Sequence, residues 1–161
     1  LVGSGFDVHE FEKGRPFVLC GEKIDYEFGL KAHSDGDVAL HALTDAILGA
    51  AGLGDIGELF PDTDDKFKDI SSIYLLQEAY KRVQSVGFVL TNADITIMAQ
   101  KPKLSKLKSK MEANIAQALN LSQSRINVKA TTTEGLGFVG RCEGIAVMAS
   151  ASLKFYNWTQ I

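Results

Sequence analysis

The segment from Asp37 to Ala51 constrains this chain most. Apart from Asp37, His41, Thr44 and Asp45, every residue in it is apolar or glycine. Spacings of three and four put those polar groups on one stripe of an otherwise buried helix. Ser34 and Asp35, which precede it, are capping-type residues. The remaining segments must arrange themselves around this helix.

Val2–His9 suits a strand, and Phe17–Leu19 with Glu22–Ile24 suits a hairpin turning near Gly21. A second helix is expected over 71–86, ended by Gly87. Ala93, Ile95, Ile97 and Ala99 then alternate with Asp94, Thr96 and Met98, the period of a strand. A third helix over 104–119 carries Leu107, Met111, Ile115 and Ala118 on one face, and strands over 127–133 and 144–156 follow. Helices alternate with strands that also pair as hairpins, so the expected class is α+β, a mixed sheet with helices packed on one face. With no repeat, linker or low-complexity tract, 161 residues read as a single domain over 1–161. Three helices cover one sheet face, and a second copy of the chain is the simplest cover for the other.

Composition narrows the function. Seventeen basic against 20 acidic residues leave a net charge of −3, which argues against a nucleic-acid partner. The longest uncharged apolar run, 144–153, is about half a membrane span, so no membrane partner is expected. No secretory signal is visible, and two cysteines make no disulfide framework, so the expected location is cytoplasmic. The chain starts at Leu1 without a Met, which fits either a processed terminus or half of a longer chain.

Chemistry concentrates in five places. Asp7 and His9, two apart on a strand, project from one face, and His41 sits on the polar stripe of the buried helix. One carboxylate and two imidazoles leave a tetrahedral position open, the ligand count of a catalytic zinc. Taken singly, each histidine also fits a hydrogen-bonded, half-buried role. His33-Ser34-Asp35-Gly36-Asp37 leads into the same helix, where free N–H groups suit a phosphate; an ordinary N-cap is the alternative. Residues 54–65 form a Gly- and Asp-rich loop in which Phe60 invites burial, as a lid would. Ala99-Gln100-Lys101-Pro102-Lys103 opens a lysine-bearing helix, a solvated face with room for one anionic nucleotide. Thr131-Thr132-Thr133-Glu134 before a Gly-rich turn offers hydroxyl donors and an oxygen ligand for a hard cation, although threonines are also good strand residues.

These segments, in this order, resemble the 2-C-methyl-D-erythritol 2,4-cyclodiphosphate synthase family. The matching stretches are Gly5–His9, Ala32–His41, Gly54–Gly57, Phe60–Asp64, Ala99–Lys103 and Thr131–Glu134. The resemblance implies a cytidine diphosphate ester of methylerythritol 2-phosphate as substrate, a cyclic diphosphate product and CMP as leaving group. It implies zinc on Asp7, His9 and His41, and a second divalent cation, magnesium or manganese, on Glu134. His33 and Thr132 map onto transition-state stabilisers. Ser34, Asp55, Ile56, Gly57, Phe60, Pro61, Asp62, Thr63 and Asp64 map onto contacts to the methylerythritol phosphate. Ala99, Gln100, Lys101, Pro102, Lys103, Leu104 and Ser105, with Thr131 and Thr133, map onto the cytidine pocket, and Phe138 and Arg141 match further ligand contacts. The family also implies a homotrimer with sites between subunits, an isoprenoid diphosphate on the threefold axis in some members, and fusion to a cytidylyltransferase in others. Two other readings use the same residues: a zinc-dependent phosphohydrolase, and a trimeric isoprenoid-diphosphate-binding protein.

Overall fold

The computed structural model describes residues 1–157, so the last four positions of the expected domain lie outside the described residues. In chain order the elements are β1 (Val2–Lys13), β2 (Phe17–Leu19), β3 (Glu22–Ile24), β4 (Phe28–Leu30), α1 (Val38–Ala51), α2 (Ile56–Leu59), α3 (Ser72–Ser85), β5 (Phe88–Met98), α4 (Lys108–Leu119), β6 (Ile126–Thr131), α5 (Gly137–Gly140) and β7 (Gly144–Phe155). The main sheet runs β4-β1-β7-β5-β6, antiparallel except for the parallel β5–β6 pair, and β2–β3 form a separate hairpin. This is the expected mixed α+β architecture. Among the described residues no helix is long and apolar enough to cross a membrane.

The polar-striped helix sits at the centre. Val38, Ala39, Leu40, Ala42, Leu43, Ala46, Ile47 and Leu48 of α1 have no exposed surface. α1 packs on β1 and β7 on one side and on α3 on the other, and ends at Gly52 in the left-handed conformation. Two glycines of β1 permit its close approach. A Cβ on Gly3 would run into the Ala46 carbonyl, and one on Gly5 into the Ala42 carbonyl. With no side chain between them, the α1 backbone rests directly on β1, next to the strand positions that carry Asp7 and His9.

The sheet is two-faced, as the strand period requires. Ile95, Ile97, Ile145, Val147, Ala149 and Ala151 are buried against the helices. Their alternates look the other way: Val2, Phe6 and Met148 are more than half exposed, and Phe6 and Met148 are cross-strand partners.

Several boundaries differ from expectation; β5 begins at Phe88 rather than Ala93, and β6 ends at Thr131 rather than Thr133. β1 continues four residues past His9 and pairs with β4, a three-residue strand that sequence pattern does not distinguish from the loop around it. α4 begins at Lys108 rather than Leu104, because Leu107 N–H closes a tight turn onto the Leu104 carbonyl at 2.9 Å and buries Leu104. Short helices α2 and α5 lie inside segments expected to be loops.

Candidate metal centre and adjoining cavities

Asp7, His9 and His41 meet where α1 crosses β1. One ligand atom from each lies within 4.8 Å of the others. Asp7 Oδ2 is 3.0 Å from His9 Nε2 and 3.2 Å from His41 Nδ1, while Asp7 Oδ1 accepts the Val8 N–H at 2.9 Å. The two rings meet edge-on, their centroids 5.1 Å apart. Burial raises the Asp7 carboxyl, but the His41 and His9 side chains beside it outweigh that and hold the group well below the usual carboxylate range.

The donor set fits a divalent cation. His9 Nδ1 lies 3.1 Å from the Gly36 carbonyl, which can only accept, so Nδ1 carries the proton. His9 Nε2 therefore turns a lone pair towards a carboxylate oxygen. Two facing acceptors repel unless a positive charge sits between them, and nitrogen and oxygen donors in this number suit zinc.

This trio lies on the wall of a cavity of about 470 Å³. Of the expected contacts, His33, Ser34, Ile56, Gly57, Phe60, Pro61 and Asp62 line it. His33 Nε2 is buried without a hydrogen-bond partner among the described residues, a donor or acceptor left for something in the cavity. Asp55, Thr63 and Asp64 are not on the wall; Asp55 caps α2 through Glu58 N–H at 2.9 Å, and Asp64 accepts Lys66 N–H at 3.1 Å. Phe60 is buried as expected, edge-on to Phe67 at 5.4 Å between centroids.

One expectation is corrected. Of the two readings of the α1 N-terminus, the N-cap holds, but the cap is Asp37, whose carboxylate accepts one helix N–H, that of Leu40, where an anion would otherwise sit. Asp37 is fully buried and accepts from Leu40, Cys20 and Gly21 N–H at 3.1, 2.9 and 2.7 Å. Burial pushes its pKa up to about 6 despite these donors. The capping residue is thus Asp37, and Ser34 and Asp35 serve other partners.

A second cavity, of about 230 Å³, opens at the other edge of the sheet. The parallel β5–β6 pairing places Ala99 to Ser105 beside Thr131 and Thr132, and all of these line it except Lys101, which is exposed. Thr133, Glu134, Phe138 and Arg141 lie outside both cavities, in the turn after β6, in α5 and just past its end. Thr133 Oγ1 donates to the Leu136 carbonyl at 2.7 Å, and Thr132 Oγ1 donates to Glu134 Oε1 at 3.3 Å. Arg141 pairs with Glu143 at 3.1 Å. Glu134 does not join the Asp7 trio. β6 lies three strand steps from β1, roughly 14 Å at about 4.8 Å per step.

The sequence reading missed several wall residues. Asp45, in the polar stripe of α1, lines the first cavity, and its place in that stripe was the available signal. Ala32, Phe67, Ile70 and Leu75 also line it, and Ala130 and Lys108 line the second, with no pattern to single them out.

This is an α+β domain with a candidate Asp–His–His metal centre beside one cavity and a second cavity lined in part by Thr131 and Thr132, the build of a small-molecule enzyme. The model of the YgbB family matches residues 1–154, and the chain belongs to that family. It is 99% identical over its full length to a bifunctional enzyme IspD/IspF of Campylobacter concisus, of which it spans 43%. The bifunctional IspDF of Campylobacter jejuni superimposes with a TM-score of 0.96 at 61% identity over 99% of this chain, again 43% of that one. A 2C-methyl-D-erythritol-2,4-cyclodiphosphate synthase solved in a CDP-bound form gives 0.88 at 40% identity, covering 96% of this chain and all of that one. The chain thus spans less than half of the bifunctional relatives and the whole of a synthase.

Proposed function

We propose that this chain is a cyclodiphosphate synthase domain acting in isoprenoid biosynthesis, a phosphorus–oxygen lyase. Its substrate is 4-diphosphocytidyl-2-C-methyl-D-erythritol 2-phosphate. An oxygen of the 2-phosphate bonds to the β-phosphorus. The bond from that phosphorus to the oxygen bridging it to the α-phosphorus breaks, and the electron pair leaves with CMP. The product is 2-C-methyl-D-erythritol 2,4-cyclodiphosphate. The observation that carries this reading is the convergence of Asp7, His9 and His41 donors on the wall of a cavity with an unpartnered His33 nitrogen.

No protein nucleophile is required, because attacking and leaving groups belong to one molecule and the site need only fold it. Ser34 and the loops 55–57 and 60–64 hold the methylerythritol phosphate. The second cavity, with Thr131 and Thr133, holds the cytidine, and Phe138 and Arg141 contact the ligand. His33 and Thr132 direct polar atoms at the charge that builds on the transferring phosphoryl group. Asp7, His9 and His41 would hold zinc and Glu134 would hold magnesium or manganese, and these ions would supply charge neutralisation.

The two cavities lie at opposite edges of one sheet, while the substrate must touch both. A homotrimer that seats the second cavity of one copy against the first of the next answers this. The open sheet face bearing Phe6 and Met148 supports such an assembly, and its apolar pair supports an isoprenoid diphosphate on the axis. We read residues 1–161 as one domain of a cytoplasmic protein, part of a bifunctional chain like its Campylobacter relatives.

The test is product analysis with and without chelator. Chelator-sensitive formation of CMP and the cyclic diphosphate, one for one, supports the reading. CMP accompanied by uncyclised methylerythritol phosphates would make the protein a phosphohydrolase, and neither product from metal-loaded trimer would leave a binding protein.

A further inference from the structure

His41 has two faces, and the metal reading uses only one of them. Its Nδ1 looks at Asp7, while Nε2 lies 3.0 Å from Ser72 Oγ and 3.1 Å from Ser34 Oγ. Ser72 opens α3 and is 1% exposed. It belongs to a pair of contacts with one carboxylate: Ser72 Oγ is 2.5 Å from Asp35 Oδ1, and Ser72 N–H donates to Asp35 Oδ2 at 2.9 Å. Ser71, the residue at the cap position of α3, makes no side-chain cap bond, so Asp35 caps that helix from 37 residues away in sequence.

The proton count decides the direction of this chain. An ionised carboxylate only accepts, so the short contact to Asp35 consumes the one proton that Ser72 Oγ owns. Towards His41 the same oxygen offers only lone pairs. Nε2 must then carry hydrogen, since a bare nitrogen at 3.0 Å would face an oxygen with nothing between them. A neutral imidazole with its proton on Nε2 has its lone pair on Nδ1, the atom that faces Asp7. Ser34 Oγ, which also accepts at Nε2, keeps its own proton for the cavity it lines.

We infer that Asp35 and Ser72 are positioning residues of the metal centre: the Asp35–Ser72–His41 relay locks the His41 tautomer that turns Nδ1 towards the metal. It does for His41 what the Gly36 carbonyl does for His9. The two histidines are thus pinned through opposite ring nitrogens, by a backbone carbonyl in one case and a buried hydroxyl in the other. Neither Asp35 nor Ser72 touches a ligand atom or the reacting groups; both act through His41. Partners of this kind typically change metal affinity about 10- to 100-fold when removed.

This inference rests on the metal reading of the site, and the experiment separates the two. Zinc affinity is measured by competition with a chromophoric chelator on wild type, Ser72→Ala, Ser72→Thr and Asp35→Asn. In parallel, protein labelled with 15N-histidine is examined zinc-loaded and, at pH 8, metal-free, to read which His41 nitrogen bears hydrogen. Wild type is expected to show Nε2–H in both forms. Ser72→Ala is expected to bind zinc about 10- to 100-fold more weakly and to gain the Nδ1–H tautomer when metal-free, with Ser72→Thr restoring both. Asp35→Asn is expected to weaken zinc in the same direction. Wild type that shows Nδ1–H on His41 overturns the relay even if every variant misfolds. A folded Ser72→Ala with wild-type affinity and tautomer also overturns it. Wild type that binds no zinc, with Nε2–H in place, would instead remove the metal reading and leave the tautomer lock standing.

Discussion

Asp45 Oδ1 accepts the Ile56 backbone N–H at 2.7 Å, so the central helix directly holds the loop that forms one lip of the first cavity. Burial raises the Asp45 carboxyl and the Ile56 N–H lowers it again, leaving it above its ordinary value. A hydrogen bond to a charged group contributes about 1.5–3 kcal/mol. Asp45→Ala should therefore release the 54–57 turn and raise the KM for the proposed cytidine diphosphate substrate by about 10-fold or more, with zinc content unchanged. Asp45→Asn keeps an acceptor and should recover most of the loss. Steady-state kinetics on both variants check this; equal KM values for all three proteins would show that the lip stands without the anchor.

The contact between α1 and β1 should be intolerant of a single methyl group. At Gly5 the added Cβ would meet the Ala42 carbonyl, which is backbone and cannot rotate away. Gly5→Ala must push α1 off the strand, and overpacking of this kind costs about 1–3 kcal/mol. It should also move His41 away from Asp7, so zinc affinity should fall together with the unfolding midpoint. Gly14 offers the internal contrast: nothing lies within 4 Å of its Cβ position, although its φ of +79° disfavours a side chain. Gly14→Asn, which tolerates that φ, should leave zinc binding intact.

How much of this was legible beforehand followed from sequence distance. The polar-striped apolar run 37–51 and the two-residue spacing of Asp7 and His9 are local patterns, and both the central helix and all three metal-type ligands, His41 included, stand where they pointed. The role of Asp35 is not local, since its partner Ser72 is 37 residues away and on another helix. The same holds for β4, three residues that are a strand only because β1 runs past them. At the α1 N-terminus the N-cap alternative holds for a different reason: Asp37 accepts the Leu40 N–H of that helix and, with the same carboxylate, the Cys20 and Gly21 N–H groups of the β2–β3 turn, which no local pattern announces. The residues proposed to hold cytidine were placed by family resemblance, and the parallel β5–β6 register is the structural reason that 99–105, Lys101 apart, share one cavity with Thr131 and Thr132.

The open sheet face carries a prediction about assembly. Phe6 and Met148 are cross-strand neighbours, 59% and 52% exposed, an unusual place for large apolar side chains if the chain worked alone. Phe6→Glu should leave the helix-side core untouched, because that position looks away from α1. In a trimer it would bring three like charges together. Light scattering after size exclusion should show wild type as a trimer and the variant shifted to monomer at micromolar concentration. A variant that remains trimeric would move the interface off this face.

Finally, Asp37 should give the protein an acid-side gain in stability rather than the usual loss. Burial comes first among the influences on this carboxyl and raises its pKa from 3.8 to about 6, against the lowering by the Gly21, Leu40 and Cys20 N–H groups. The folded state therefore binds a proton more readily than the unfolded chain. Between about pH 6 and pH 4 the folded form is protonated there and the unfolded form is not, so stability from this group rises as pH falls through the window. Two pKa units correspond to about 3 kcal/mol. Other carboxylates, Asp7 above all, act in the opposite sense, so the difference between wild type and Asp37→Asn isolates the effect. Denaturant unfolding of both metal-free proteins at pH 7, 6, 5 and 4 should show the wild-type advantage growing by about 2–3 kcal/mol towards acid. A constant difference across that range would mean that the three N–H donors keep Asp37 ionised, with burial outweighed.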